Sequence, residues 1–172
     1  MAALATHGLR RQGFTIVELL IVIVVIAILA VITVVAFNGI QNRANETAVQ
    51  SDLRQFAAKV MEFQANEGRY PDGPNTTNAV EGIPKFKLTR NAYRTDIHNF
   101  YYCTGNVGGI EKFAVGAVSL SGTKYAYYSD GGLKVYTGAW SSSGVNCPGM
   151  GIDPYTYGYG HNQTTGWNSW TQ

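Results

Sequence analysis

Hydrophobic and polar positions divide this chain into three regimes. From Leu19 to Phe37 every residue is apolar or small except Thr33, so the run has no polar face. About 19 helical residues at 1.5 Å each reach roughly 28 Å, close to the hydrocarbon thickness of a bilayer. Past Gly39 the pattern becomes one-sided: Val49, Leu53, Phe56, Val60 and Phe63 recur at steps of four and three, with Gln, Arg, Lys and Glu between them. That spacing predicts an amphipathic helix with one buried stripe. The stretch NEGRYPDG ends it, because Gly68 suits a left-handed C-cap and Pro71 cannot continue a helix.

The rest of the chain changes period. Pro74 to Pro84 is polar and turn-rich and predicts a connecting loop. Strand candidates follow at Phe100–Cys103, Lys112–Leu120, Lys124–Ser129 and Leu133–Thr137, with Ser121-Gly122 and Asp130-Gly131 as tight turns that make the last three an antiparallel meander. A sheet laid across the amphipathic half of the helix buries the Val49 to Phe63 stripe. The predicted class is α+β: a long N-terminal helix, transmembrane half then amphipathic half, packed on a small antiparallel sheet with a C-terminal disulfide-tied segment. The segments are 14–37 for the membrane helix, 38–67 for the amphipathic half and 68–172 for the head with its aromatic tail.

Composition and charge narrow the function. The 172 residues suffice for one modest core and an appendage. The formal charge is +2, from 13 basic and 11 acidic residues; without Arg10 and Arg11 the balance is 11 against 11, so the chain after Gly13 is formally neutral. Bulk charge therefore does not mark a nucleic-acid binder. Cys103 and Cys147 have no CxxC spacing, which argues against zinc and fits a single bridge formed in an oxidising compartment. Arg10-Arg11 before the apolar run, with no further Arg or Lys until Arg43, predicts a cytoplasmic N-terminus and an external head.

Glu18, at the head of the apolar run, is the anomaly. A secretory signal, with Val34-Val35-Ala36 resembling its cleavage site, has a shorter apolar region than this run and no use for an acid at its head, and an uncleaved anchor likewise leaves Glu18 unexplained. A carboxylate in hydrocarbon costs several kcal/mol, so intramembrane acids usually have a partner or sit protonated. No Lys or Arg lies between Phe14 and Asn42. The cation available nearby is a new α-amino group, released if the chain is cut between Gly13 and Phe14, on the same chain or on a neighbour.

The stretch GFTIVELLIVIVVIAIL, preceded by basic residues, closely resembles the processing site of type IV pilins and of the pseudopilins of type II secretion and DNA-uptake systems. The resemblance covers roughly the first third of the chain. It implies that residues 1–13 are a cytoplasmic leader removed by a prepilin peptidase. Gly13 would then be the cleavage determinant, Phe14 the methylated N-terminus and Glu18 the assembly residue, paired with the Phe14 amine of an adjacent subunit. It further implies a helical homopolymer, an assembly platform protein and ATPase as partners, storage in the cytoplasmic membrane, and an extracellular fibre. Where many pilins carry a helix-breaking Pro, this chain has Val35, so any loosening of the helix is expected around Asn38 to Gly39.

Two other groups are candidates for chemistry. Lys85, Lys87, Arg90 and Arg94, with Tyr93 among them, form a basic cluster that either contacts the phosphates of captured DNA or is a solvated loop face. Tyr155, Tyr157, Tyr159, Trp167 and Trp170 either form an adhesive surface or pack on the sheet. Asp153 alone is too little for calcium, and His7, His98 and His161 form no metal or nucleophile pattern, so no catalytic residue, metal or cofactor is expected. The expected function is a pilus subunit serving adhesion, twitching motility or DNA uptake. The alternatives are a secretion or competence pseudopilin and a monomeric membrane-anchored binding module.

Overall fold

In the computed structural model, residues 13–73, 79–83 and 85–171 are described. The leader up to Gln12, most of the Pro74–Pro84 loop and the side chain of Val35 lie outside the described residues. A helix α1 runs Ile16–Glu67, and the chain divides into two compact units between Ile40 and Gln41.

Among the described residues of the first unit none is buried. The described large hydrophobic side chains between Phe14 and Ile40 are exposed, from 47% at Val25 to 89% at Phe14. This is the one helix among the described residues long and apolar enough to cross a membrane. At roughly 1.5–3 kcal/mol for each Val, Leu or Ile moved out of water, such a surface demands lipid or other helices around it. Asn38 and Gly39 are helical in this conformation.

The second unit begins with Gln41–Glu67. Its predicted stripe is present: Val49, Leu53, Phe56 and Val60 are fully buried, as is Ala57 between them. Phe63 is half-buried, with the Arg69 guanidinium 5.5 Å from its ring centre. Gly68, at φ 75°, closes the helix through its N–H to the Gln64 carbonyl at 2.9 Å.

The stripe packs on a six-stranded antiparallel sheet. Strands β1 (Asn99–Val107), β2 (Ile110–Val118), β3 (Lys124–Tyr128) and β4 (Gly132–Val135) form a meander; β5 (Thr156–Asn162) and β6 (Gly166–Trp167) add to the other side of β1, giving the order β4-β3-β2-β1-β5-β6. A short helix α2, Ser143–Gly149, lies between β4 and β5. The first predicted strand is longer than its hydrophobic core suggests, because a Gly108-Gly109 turn joins it to β2 in continuous register as far as Val107 and Ile110. Both glycines have positive φ, 64° and 85°, the backbone a two-residue hairpin needs. The predicted Leu133–Thr137 strand stops at Val135, and Tyr136 turns its ring into the packed outer face.

Both sheet faces are covered, which is why β1 is buried from Asn99 to Thr104. Alternation sorts its side chains. Phe100 and Tyr102 join the helix-side core, where the Phe56 ring lies 5.1 Å from Phe86, 5.2 Å from Phe100 and 5.6 Å from Tyr102. Tyr101 and Cys103 join a second cluster on the opposite face, with Tyr136, Met150 and Ile152. The Cys103–Cys147 disulfide ties β1 to α2 across that face.

Two carboxylates, Asp52 buried and Glu46 half-buried, lock the helix to the sheet and its loops. Asp52, 5% exposed, accepts from the Thr89 N–H at 2.8 Å and the Tyr93 hydroxyl at 2.9 Å. Burial nonetheless raises its carboxyl above the ordinary aspartate range. Glu46 accepts from the hydroxyls of Ser121 at 2.7 Å and Thr123 at 2.8 Å, and these bonds lower its carboxyl.

Candidate functional site

The start of α1 is built from a four-residue local pattern. Thr15 precedes the first helical residue, and Glu18 follows three residues later. The Thr15 N–H and hydroxyl both donate to Glu18 Oε2, at 2.9 and 2.7 Å, while the Glu18 N–H donates to Thr15 Oγ1 at 3.2 Å. This reciprocal arrangement is a capping box, which satisfies amides that a helix start leaves open. Thr15 is therefore a partner of Glu18 that reasoning from charge alone misses, although the Thr-x-x-Glu spacing was there to be read. The cap supplies hydrogen bonds but no positive charge. Glu18 remains an exposed carboxylate at the head of an apolar surface, three residues after the Thr15 cap and four after Phe14, which follows the Gly13–Phe14 bond.

The basic cluster is broken up by its own neighbours. Arg94 forms an ion pair with Asp96, its Nε donating to Oδ1 at 2.8 Å. Arg90 donates to the Thr171 carbonyl and stacks over the Trp167 ring at 5.6 Å. Lys85 and Lys87 are exposed on either side of the buried Phe86. Tyr93 is turned into the core, 1% exposed.

The aromatic tail separates onto two faces. Trp170 is 1% exposed and fills the helix-side core, its ring 6.0 Å from Phe56. Trp167, on β6, packs edge-on to Tyr93 at 5.5 Å and to His161 at 4.9 Å. Tyr155, Tyr157 and Tyr159 stand half-buried on the opposite face of the sheet, alternating with Thr156 and Gly158. Gly160 permits the strand to lie this close: a Cβ there would come within 2.8 Å of Thr171 Cγ2 and 3.2 Å of Phe100 Cβ. Burial beside Tyr159 and Tyr157 pushes the Tyr101 phenol well above its ordinary range. Among the described residues no group of three or more His, Cys, Asp or Glu side chains is placed to hold a metal.

Residues 8–34 match the family described as the prokaryotic N-terminal methylation motif, the cleavage and methylation segment of type IV pilins and pseudopilins. The motif, with the apolar helix that carries it, supports a type IV pilin- or pseudopilin-like protein. No curated protein and no solved structure matches the chain.

Proposed function

We propose that this chain is the structural subunit of a type IV pilus-like extracellular filament. The precursor crosses the cytoplasmic membrane once with its N-terminus inside. Cleavage after Gly13 frees the Phe14 amine, methylation modifies it, and Phe14–Phe37 then packs against the same segment of neighbouring subunits. The reading rests on one observation: an apolar helix with no burial of its own begins at an exposed carboxylate inside a methylation motif. Glu18 is already capped by Thr15, so what it lacks is charge, and the amine of an adjacent Phe14 supplies it.

N-terminal sequencing of sheared surface material tests the processing step. The expected start is Phe14 carrying one added methyl mass; an intact Met1, or a start at Phe37, removes the proposal. Labelled electron microscopy separates a fibre from an anchored monomer. Of the uses open to such a fibre, surface attachment is favoured over DNA uptake, because Arg90 and Arg94 are engaged within the head. Prepilin peptidase, the assembly platform and its ATPase are the partners this route requires.

A further inference from the structure

A cleft of about 410 Å³ opens on the sheet face opposite the Gln41–Glu67 segment of α1. Tyr101, 3% exposed, forms its floor. Tyr157 and Tyr159 stand along β5 with ring centres 6.3 Å apart and planes 13° from parallel, the spacing of alternate residues on one strand. Trp140 closes the other side, edge-on to Tyr101 at 5.8 Å.

These rings are held in place. The Trp140 indole N–H donates to the His98 carbonyl at 3.0 Å, and the His98 ring stands edge-on to Tyr159 at 5.4 Å. The Tyr101 hydroxyl donates to the Ser141 carbonyl at 3.4 Å. The rim is different in kind: the consecutive serines Ser141 to Ser143 and the exposed Gln163 bring small neutral hydrogen-bonding groups to it. None of the lining residues is Asp, Glu, Lys or Arg.

Preorganised aromatic faces beside neutral donors and acceptors are the complement of a pyranose, which has an apolar C–H face and an equatorial belt of hydroxyls. A lining without cations does not neutralise phosphate or sulfate, which DNA and acidic polysaccharides require. We infer that this cleft binds a neutral oligosaccharide, stacking sugar rings on Tyr157, Tyr159 and Trp140 while the serine segment and Gln163 engage the hydroxyls. The inference rests on the filament reading for its display at the cell surface. It gives the aromatic tail a ligand class and assigns Trp140 and Ser141 to Ser143 to the same site.

The test uses the full-length chain in detergent micelles, with cellopentaose and chitopentaose as probes and a sulfated polysaccharide and duplex DNA as competitors. Calorimetry is expected to show saturable binding of at least one neutral pentasaccharide. Tyr157→Ala and Tyr159→Ala should each weaken it about tenfold, the scale of one lost aromatic contact, while Tyr157→Phe and Tyr159→Phe retain it. Gln163→Trp, at an exposed rim position, blocks the cleft without touching the packed rings and should abolish binding. No saturable binding at millimolar probe overturns the inference. So does undiminished binding by Gln163→Trp, or displacement by DNA or sulfated polymer but not by the second neutral sugar. Because the assay uses unassembled chain, its failure leaves the filament reading standing, and a failure to form fibres leaves the binding measurable.

Discussion

The two halves of α1 share a backbone conformation and little else. Between Phe14 and Ile40 the described large hydrophobic side chains lie open, whereas Val49, Leu53, Phe56 and Val60 are sealed completely. The difference is where the complementary surface comes from. The amphipathic half finds its partner in the sheet of the same chain; the apolar half has to obtain one from lipid or from other subunits. One half therefore specifies a fold, and the other specifies an environment.

Substitutions should separate these roles. The largest effect on fibre assembly is expected from Glu18→Gln. Glutamine can still complete the capping box with Thr15, so the helix start survives while the negative charge is lost. Sheared-fibre yield should fall by more than about tenfold, the equivalent of about 1.4 kcal/mol, with the melting of the head unchanged. Normal yield would mean that capping, and not charge, is the purpose of the acid.

In the head the order reverses. Phe56→Ala should destabilise it by about 3–5 kcal/mol, since four rings surround that side chain, while leaving peptidase cleavage of the precursor intact. Replacing both Cys103 and Cys147 by Ser removes a link across a sequence separation of 44, worth about 4 kcal/mol by loop-closure entropy, an estimate that native-state relaxation reduces. Thermal melts of the processed protein read both. A melt unaffected by either change would show that the head is held by something other than the core and bridge described.

The smallest effect concerns pH. The folded state raises the Asp52 carboxyl above 3.8, so between that value and its folded pKa the native chain holds more protons than the unfolded one. Its contribution is therefore full below the unfolded pKa and declines as pH rises through the folded one. Glu46, lowered in the folded state, works in the opposite direction: its contribution is present above 4.5 and lost on acidification. Comparing wild type with Asp52→Asn across pH 3 to 7 isolates the first effect, because the variant lacks that decline while keeping an acceptor for Thr89 or Tyr93. Parallel stability curves for the two proteins would show that Asp52 titrates as it does in the unfolded chain.

Legibility in the sequence followed the range of the interaction. The membrane helix, its amphipathic continuation, the Gly68 stop and the four meander strands were visible because each is encoded by neighbours a few residues apart. The processing segment was visible for the same reason. The Gly108-Gly109 hairpin carried a short-range signal that hydrophobic content alone passes over. Strands β5 and β6 were hidden: Tyr155, Tyr157 and Tyr159 alternate as a strand should, but Gly158 and Gly160 depress strand propensity, and Gly160 leaves room for Phe100 of β1 and for Thr171.

By itself, then, the order of residues determined an apolar helix with an acid at its head, a one-sided stripe behind it, and the cleavage segment, all set by local periodicity and charge. Tertiary structure alone decided that β5 returns beside β1, that Trp170 fills the core while Tyr157 and Tyr159 stand on the opposite face, and that Arg90 meets the Thr171 carbonyl and the Trp167 ring. Those outcomes depend on which distant surfaces meet, and a side chain's exposure is a property of that meeting, not of its neighbours in sequence.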